Sequence, residues 1–259
     1  MHRKSWLWRT ISISSLLLTA ILLFGFGYAV KTVQFQTGGG LGLDDGPREA
    51  DADANQDGVY TITVFGDSLS KGTGDETGKG YAGIVKDELE NVEEHVHFYN
   101  YGIEGYETAE LLSDLQKKQG IMEAVKSADL ILMTMGANDL FSMDEDADPD
   151  LYEQKKKPAL RNMKQIFEQL HALNARAEVV YVGLYNPFLS VDEDKRISAS
   201  VQDWNHHIFE LTQTYEGYVV VPTYDLFLKE QQRFLSSDHY HPNHEGYSRI
   251  AKRIVQAVK

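Results

Sequence analysis

From residue 59 onward, short apolar and β-branched runs recur at 59–65, 96–101, 129–135, 178–182 and 218–221. The first reads Val59-Tyr60-Thr61-Ile62-Thr63-Val64-Phe65 and stops at Gly66, the pattern of a buried strand. Between the runs, segments 81–89, 108–115, 158–173 and 197–215, and after the last run 244–258, place apolar residues three and four apart. That spacing predicts helices with one buried face. Strands alternating with helices predict an α/β fold with a five-stranded parallel sheet covered on both faces. In such sheets the crossovers are right-handed and ligands bind beyond the carboxyl ends of the strands, so functional residues are expected just after the strands.

The N-terminal pattern is different. Residues 11–30 contain no charged side chain and are rich in Leu, Ile, Phe, Ala, Gly and Ser, while Arg3, Lys4 and Arg9 precede them. The run is about as long as a bilayer core is thick. Basic residues before it mark the cytoplasmic side, which puts the rest of the chain outside. Residues 1–31 are therefore expected to be a transmembrane anchor or a signal segment. The apolar run is long for a signal peptide and lacks a good small-x-small cleavage site, which favours retention as an anchor. Residues 32–58, with Gly38-Gly39-Gly40 and several Asp residues, show no hydrophobic period and read as a flexible acidic tether. Residues 59–259 are left as one domain, long enough to bury a core of its own.

Composition narrows the chemistry. There is no Cys, which removes disulfides, lipoprotein attachment, thiolate-ligated zinc and cysteine nucleophiles. The chain carries a formal charge of -14, and residues 59–259 hold 20 basic against 33 acidic residues. That balance argues against nucleic acid as a partner and suits a solvated surface on an exported protein.

Four segments carry candidate chemistry. The first strand runs into Gly66-Asp67-Ser68-Leu69-Ser70, which sets a Ser hydroxyl at the mouth of the expected crevice. A Ser there can cap a helix, or it can act as a nucleophile if a base and an orienting group stand within hydrogen-bond reach. Just before the last helix the chain reads Ser237-Asp238-His239-Tyr240-His241-Pro242-Asn243-His244. Asp238 and His241, three apart in a turn, can pair so that the carboxylate orients the imidazole. The same His residues can be read as a zinc site, although Pro242 breaks the ligand spacing and no H-E-x-x-H is present. The second and third strands end in Asn100-Tyr101-Gly102-Ile103-Glu104-Gly105 and Gly136-Ala137-Asn138-Asp139-Leu140. A Gly amide and an Asn side chain at these points can donate to a developing oxyanion, or serve as ordinary turn residues.

Taken together, these blocks resemble the SGNH, or GDSL, hydrolases, named for Ser, Gly, Asn and His from four separated segments. Gly66-Asp67-Ser68-Leu69 looks like the first block, Gly102 the second, Gly136-Ala137-Asn138-Asp139 the third, and Asp238 with His241 the fourth. The resemblance covers nearly all of residues 59–259. It implies a flavodoxin-like three-layer α/β/α fold with Ser68 as nucleophile, His241 as base and Asp238 as its orienter. It further implies an oxyanion hole from the Ser68 and Gly102 amides and the Asn138 side chain, with neither cofactor nor metal. There is no G-x-S-x-G elbow.

The expected activity is hydrolysis of carboxylic esters outside the cytoplasm, with lipid-like acyl esters and O-acetyl groups of polysaccharides both open as substrates. Thioesters and lysophospholipids fit the same mechanism. The glycine-rich segment 71–79 lacks the ending of a phosphate loop and reads as a mobile loop beside Ser68. Phe141, Met143, Tyr185 and Phe188 follow later strands and are candidates for an acyl pocket or for core. Two other functions remain: a surface-tethered binding protein with little turnover, and a metal-dependent hydrolase built on the C-terminal His cluster. Oligomeric state is not legible in the sequence.

Overall fold

The computed structural model describes residues 58–141 and 150–258. The expected anchor (1–31) and, apart from Gly58, the tether (32–58) lie outside the described residues. Among the described residues no helix is long and apolar enough to cross a membrane.

Five strands, β1 (Val59–Gly66), β2 (His95–Gly102), β3 (Leu130–Thr134), β4 (Glu178–Val182) and β5 (Tyr218–Val221), form one sheet in the order β2-β1-β3-β4-β5. Every neighbouring pair is parallel. This is the flavodoxin-like order, and the strand order reverses at β1 and β3, where a crevice opens above the carboxyl ends. The register sets Gly66 level with Gly102 on one side and Thr134 on the other, so β1, β2 and β3 release their loops at one place.

Period-two alternation divides the core between the two faces of the sheet. Phe65, Ile131, Met133, Val179 and Tyr181 pack with the helices α3 (Thr108–Lys117), α4 (Gln119–Lys126), α6 (Tyr152–Leu173) and α7 (Arg196–Thr212). Ile62, Val64, Leu130, Leu132 and Val180 pack with α2 (Gly80–Leu89) and α9 (His244–Ala257). The result is the expected three-layer α/β/α arrangement, and five expected strands and five expected helices are present with shifted ends.

The largest shift is at α6, which begins at Tyr152 and contains Pro158 rather than starting with it. Pro costs a helical hydrogen bond. The extra turn is held from the side: Tyr152 Oη and Lys156 Nζ both bond Asp203 on α7, at 2.6 and 2.8 Å. α7 ends at Thr212, and the chain continues to Tyr215 as hydrogen-bonded turns. The short helices α1 (Ser68–Lys71), α5 (Ala137–Leu140) and α8 (Gln231–Phe234) and a 3-10 turn at Tyr224–Phe227 are too brief to give a period.

Candidate active site

Ser68 owes its position to the residues on either side. Gly66 has φ +140, and a Cβ there would lie 2.2 Å from the Thr134 carbonyl oxygen, so only Gly lets β1 turn this close to β3. Asp67 then caps α1 by accepting the Leu69 amide at 3.0 Å, which makes Ser68 the first helical residue. Below it the Ser70 hydroxyl meets the Phe65 carbonyl, Thr134 Oγ1 and Tyr81 Oη at 2.8, 2.7 and 2.7 Å, fixing α1 to both neighbouring strands and to α2.

His241 arrives on a loop pinned by its own backbone. Ser236 N donates to the His241 carbonyl at 2.8 Å, Leu235 bridges Pro242, and Asn243 ties the loop's base by donating to Arg233 O and Leu235 O. Asn243 also caps α9 by accepting from Gly246 N. Within the loop, Asp238 Oδ1 accepts from Ser236 Oγ and from the amides of Tyr240 and His241, leaving Oδ2 to face the ring. The outcome is a continuous chain: Asp238 Oδ2 to His241 Nδ1 is 2.7 Å, and His241 Nε2 to Ser68 Oγ is 2.9 Å. Burial opposes the Asp238 charge, but the bonds from His241, Ser236 and the two amides outweigh it and hold the carboxyl well below the usual range.

The loops after β2 and β3 meet beside Ser68. Asn138 Nδ2 donates to the Tyr106 carbonyl at 3.0 Å, using one of its two N–H bonds, and Asp139 accepts from the Thr108 amide at 3.0 Å. Gly102 ends β2 as expected, but its N–H donates to Asn100 Oδ1 at 2.8 Å, so this amide is already engaged. Its lack of a side chain serves packing, since a Cβ would lie 2.4 Å from Lys71 N on α1. Gly105, in the same loop, has φ +72 and nothing within 4 Å of where a Cβ would be.

A sequence model of the GDSL-like Lipase/Acylhydrolase family matches residues 64–249, spanning every segment that builds this site. The chain belongs to that family. It is a carboxylic ester hydrolase. Protein YpmR of Bacillus subtilis is 34% identical over 207 residues, covering 76% of this chain and 81% of the relative. The spore germination lipase LipC of Bacillus licheniformis is 29% identical over 206 residues, covering 75% and 94%. Among solved structures, the lipase Lip_vut3 from a goat rumen metagenome superposes with a TM-score of 0.68 at 27% identity, covering 76% of this chain and 97% of that one.

In this esterase the other sequence candidates scatter. Phe141 and Tyr185 belong to the core, stacked on Tyr152 and Phe227 respectively. Phe188 is half-buried and packs at 5.7 Å on Tyr240, which stands edge-on to His241 at 4.9 Å, so Phe188 does reach the site. Met143 lies outside the described residues. The three imidazoles once readable as a zinc site diverge: His239 meets Gln232, His241 meets Asp238 and Ser68, and His244 meets Asp75. Among the described residues no cluster of His, Asp or Glu is arranged to hold a metal ion.

The sequence reading missed the fixed character of the glycine-rich loop. Asp75, whose side chain is 0% exposed, accepts from Thr77 N, Thr77 Oγ1 and Gly80 N and faces His244 Nδ1 at 3.2 Å. Tyr247 Oη donates to Thr73 O at 2.7 Å. Asp-x-Thr is an Asx-turn signal that was available in the sequence; the partners from α9 were not. Glu104 was also missed. It accepts from Thr73 and pairs with Lys71 at the rim, and the His241 charge adds a smaller downward pull on its carboxyl.

Proposed function

We propose that the protein is a serine esterase of lipase type, acting on acyl esters outside the cytoplasm with Ser68 as nucleophile, His241 as base and Asp238 as orienter. The observation that carries the reading is the 2.9 and 2.7 Å chain from Ser68 through His241 to Asp238. In the neutral state Nδ1 donates to Asp238 and Nε2 accepts from Ser68 Oγ. Attack on the ester carbonyl moves the Ser68 proton to Nε2; collapse of the tetrahedral adduct returns it to the departing alcohol, and water repeats the cycle on the acyl-enzyme.

The adduct's oxyanion needs donors. Ser68 N, at the first position of α1, is one of the helix's free amides. The second N–H of Asn138 is another. From the loop after β2 we assign the third to Gly105 in place of Gly102, because the Gly102 amide is occupied by Asn100. The aromatic pair Phe188 and Tyr240 beside the base supplies apolar surface for an acyl chain. The lipases LipC and Lip_vut3, among the similar proteins, support acyl esters over O-acetyl groups. The basic residues before the apolar run 11–30 support an extracytoplasmic domain tethered to the membrane.

The test is hydrolysis of p-nitrophenyl esters of increasing chain length by wild type and Ser68→Ala, with a fluorophosphonate probe in parallel. Turnover and labelling confined to wild type, with longer acyl chains preferred, is the expected result. Turnover surviving in Ser68→Ala ends the serine mechanism, and strict preference for acetyl ends the lipase assignment.

A further inference from the structure

Asp67 links β1 to Ser68, yet the serine reaction as written makes no use of its charge. It is 1% exposed. Oδ1 accepts from Leu69 N at 3.0 Å and Thr134 Oγ1 at 2.8 Å, whereas Oδ2 is buried without a hydrogen-bond partner among the described residues. Capping α1 needs only an acceptor oxygen, which Asn, Ser or Thr supplies with no charge. A buried, half-satisfied carboxylate is costly, so its presence calls for a role that the charge itself fills.

The ionisable groups that feel Asp67 come from α2, from β4 and the loop after it, from the His241 loop and from α9. Tyr81 on α2, Tyr181 on β4, Tyr185 after β4, Tyr240 on the His241 loop and Tyr247 on α9 are all phenols pushed up, first by burial, and so neutral. The remaining group coupled to Asp67 is His241, whose positive charge favours the ionised carboxylate. Coupling is mutual, so the carboxylate favours the imidazolium. His241 also faces Asp238 from its own loop and Glu104 from the rim, both of them substantially exposed. Asp75 and His244, next to the loop, are paired with each other.

We propose that Asp67 is a second, buried counter-charge for His241, a positioning residue that acts through the imidazole and favours its protonated form as the Ser68 proton arrives. The inference rests on the Ser68–His241 reading above. Asp238 orients the ring from the solvent side, with 44% of its side chain exposed, where water weakens its field. Asp67 stands one residue before Ser68, whose Oγ lies 2.9 Å from His241 Nε2, and is out of water, where charges interact more strongly. Asp67 exchanges no proton during turnover: the proton passes from Ser68 Oγ to His241 Nε2 and then to the leaving alkoxide. Burial pushes the Asp67 carboxyl up to about 6, against the bonds from Thr134 and Leu69. On the acid side, therefore, protonation of Asp67 lowers activity as well.

The test compares wild type with Asp67→Asn and Thr134→Val, reading kcat/KM on a p-nitrophenyl ester against pH and following the His241 ring by NMR titration. Asp67→Asn should move the His241 titration and the acid limb down by roughly half a unit or more and lower plateau kcat about tenfold. Thr134→Val removes a bond that favours the Asp67 charge, so the acid limb should move up. An unmoved His241 titration in a folded Asp67→Asn variant overturns the proposal, whatever its rate, because a helix cap alone leaves that titration where it was. If thermal unfolding shows that Asp67→Asn does not fold, Thr134→Val decides: an upward shift supports the proposal and an unshifted limb overturns it. Ser68→Ala separates the two levels, since turnover there removes the triad reading itself, while its loss beside an unshifted Asp67→Asn removes only this inference.

Discussion

The backbone of Gly74 rests against His241: a Cβ on Gly74 would stand 2.8 Å from the His241 Cβ and 2.6 Å from the Pro242 carbonyl oxygen. Gly74 also has φ +92, a conformation that side chains disfavour. The loop around it cannot easily withdraw, because Asp75 and Tyr247 hold it on both sides. In Gly74→Ala the strain is relieved most readily by displacing the His241 loop and lengthening the contact with Ser68. We expect kcat to fall about 10- to 100-fold with KM little changed, the signature of a misplaced base. Wild-type kcat in this variant would show that the glycine-rich loop yields instead.

Asn138 has a structural bond and, in the proposed mechanism, a catalytic one. Asn138→Ala removes both, but the loop after β2 keeps its second attachment through Thr108 and Asp139. Loss of an oxyanion donor should lower kcat by about 10²- to 10³-fold. The rate of fluorophosphonate inactivation, which also builds negative charge on a tetrahedral centre, should fall with it while thermal stability changes little. A loss of kcat below about tenfold would move the donor elsewhere.

Legibility in the sequence follows how local each determinant is. Ser68 and β1 could be read because a β-branched run ends abruptly at Gly66, and the Asp238–His241 pair because both groups sit in one turn. Strand and helix periods carried the layer architecture, since each buried face leaves its own spacing. The four-residue helices α1 and α5, which hold Ser68 and Asn138, leave none. The engagement of the Gly102 amide depends on whether Asn100 folds back onto it, and in Asn100-Tyr101-Gly102-Ile103-Glu104-Gly105 either glycine has the right composition. The contacts of Gly74 with His241 and of Asp75 with His244 join segments more than 160 residues apart. Nor does the burial of Asp67 show in Gly66-Asp67-Ser68-Leu69, because Thr134, which bonds it, arrives from β3.

Asp238 should govern orientation rather than the acid limit of activity. Its carboxyl is held below the ordinary range, so its charge is in place above that range and is lost only as pH falls through the lowered value. The acid limb near neutrality therefore belongs to groups other than Asp238. Asp238→Ala should lower kcat by about 10²- to 10⁴-fold yet retain more rate than Ser68→Ala, since attack remains possible from an unoriented ring. It should also reduce thermal stability, because Oδ1 no longer accepts from Ser236, Tyr240 and His241. A variant as inactive as Ser68→Ala but fully stable would contradict this division of roles.

Asp67 should make the native protein less stable as pH rises, opposite to the usual behaviour of a carboxylate. Its pKa is raised from 3.8 to about 6 by burial, so between these values the folded chain keeps a proton that the unfolded chain has released. Stability contributed by that proton is present below the unfolded value and is lost as pH climbs through the folded one. Two pKa units correspond to about 3 kcal/mol, an upper bound once relaxation of the buried site is allowed for. Asp67→Asn has no such titration. Urea unfolding of wild type and variant from about pH 4 to 7 should therefore show the variant gaining on wild type across that window, by about 1 to 3 kcal/mol. Parallel stability curves would mean that Asp67 is already ionised throughout, and that its buried charge is better compensated than its unpartnered Oδ2 indicates. The same substitution that slows turnover is thus expected to strengthen the fold at neutral pH, the pattern of a residue kept for its charge and not for stability.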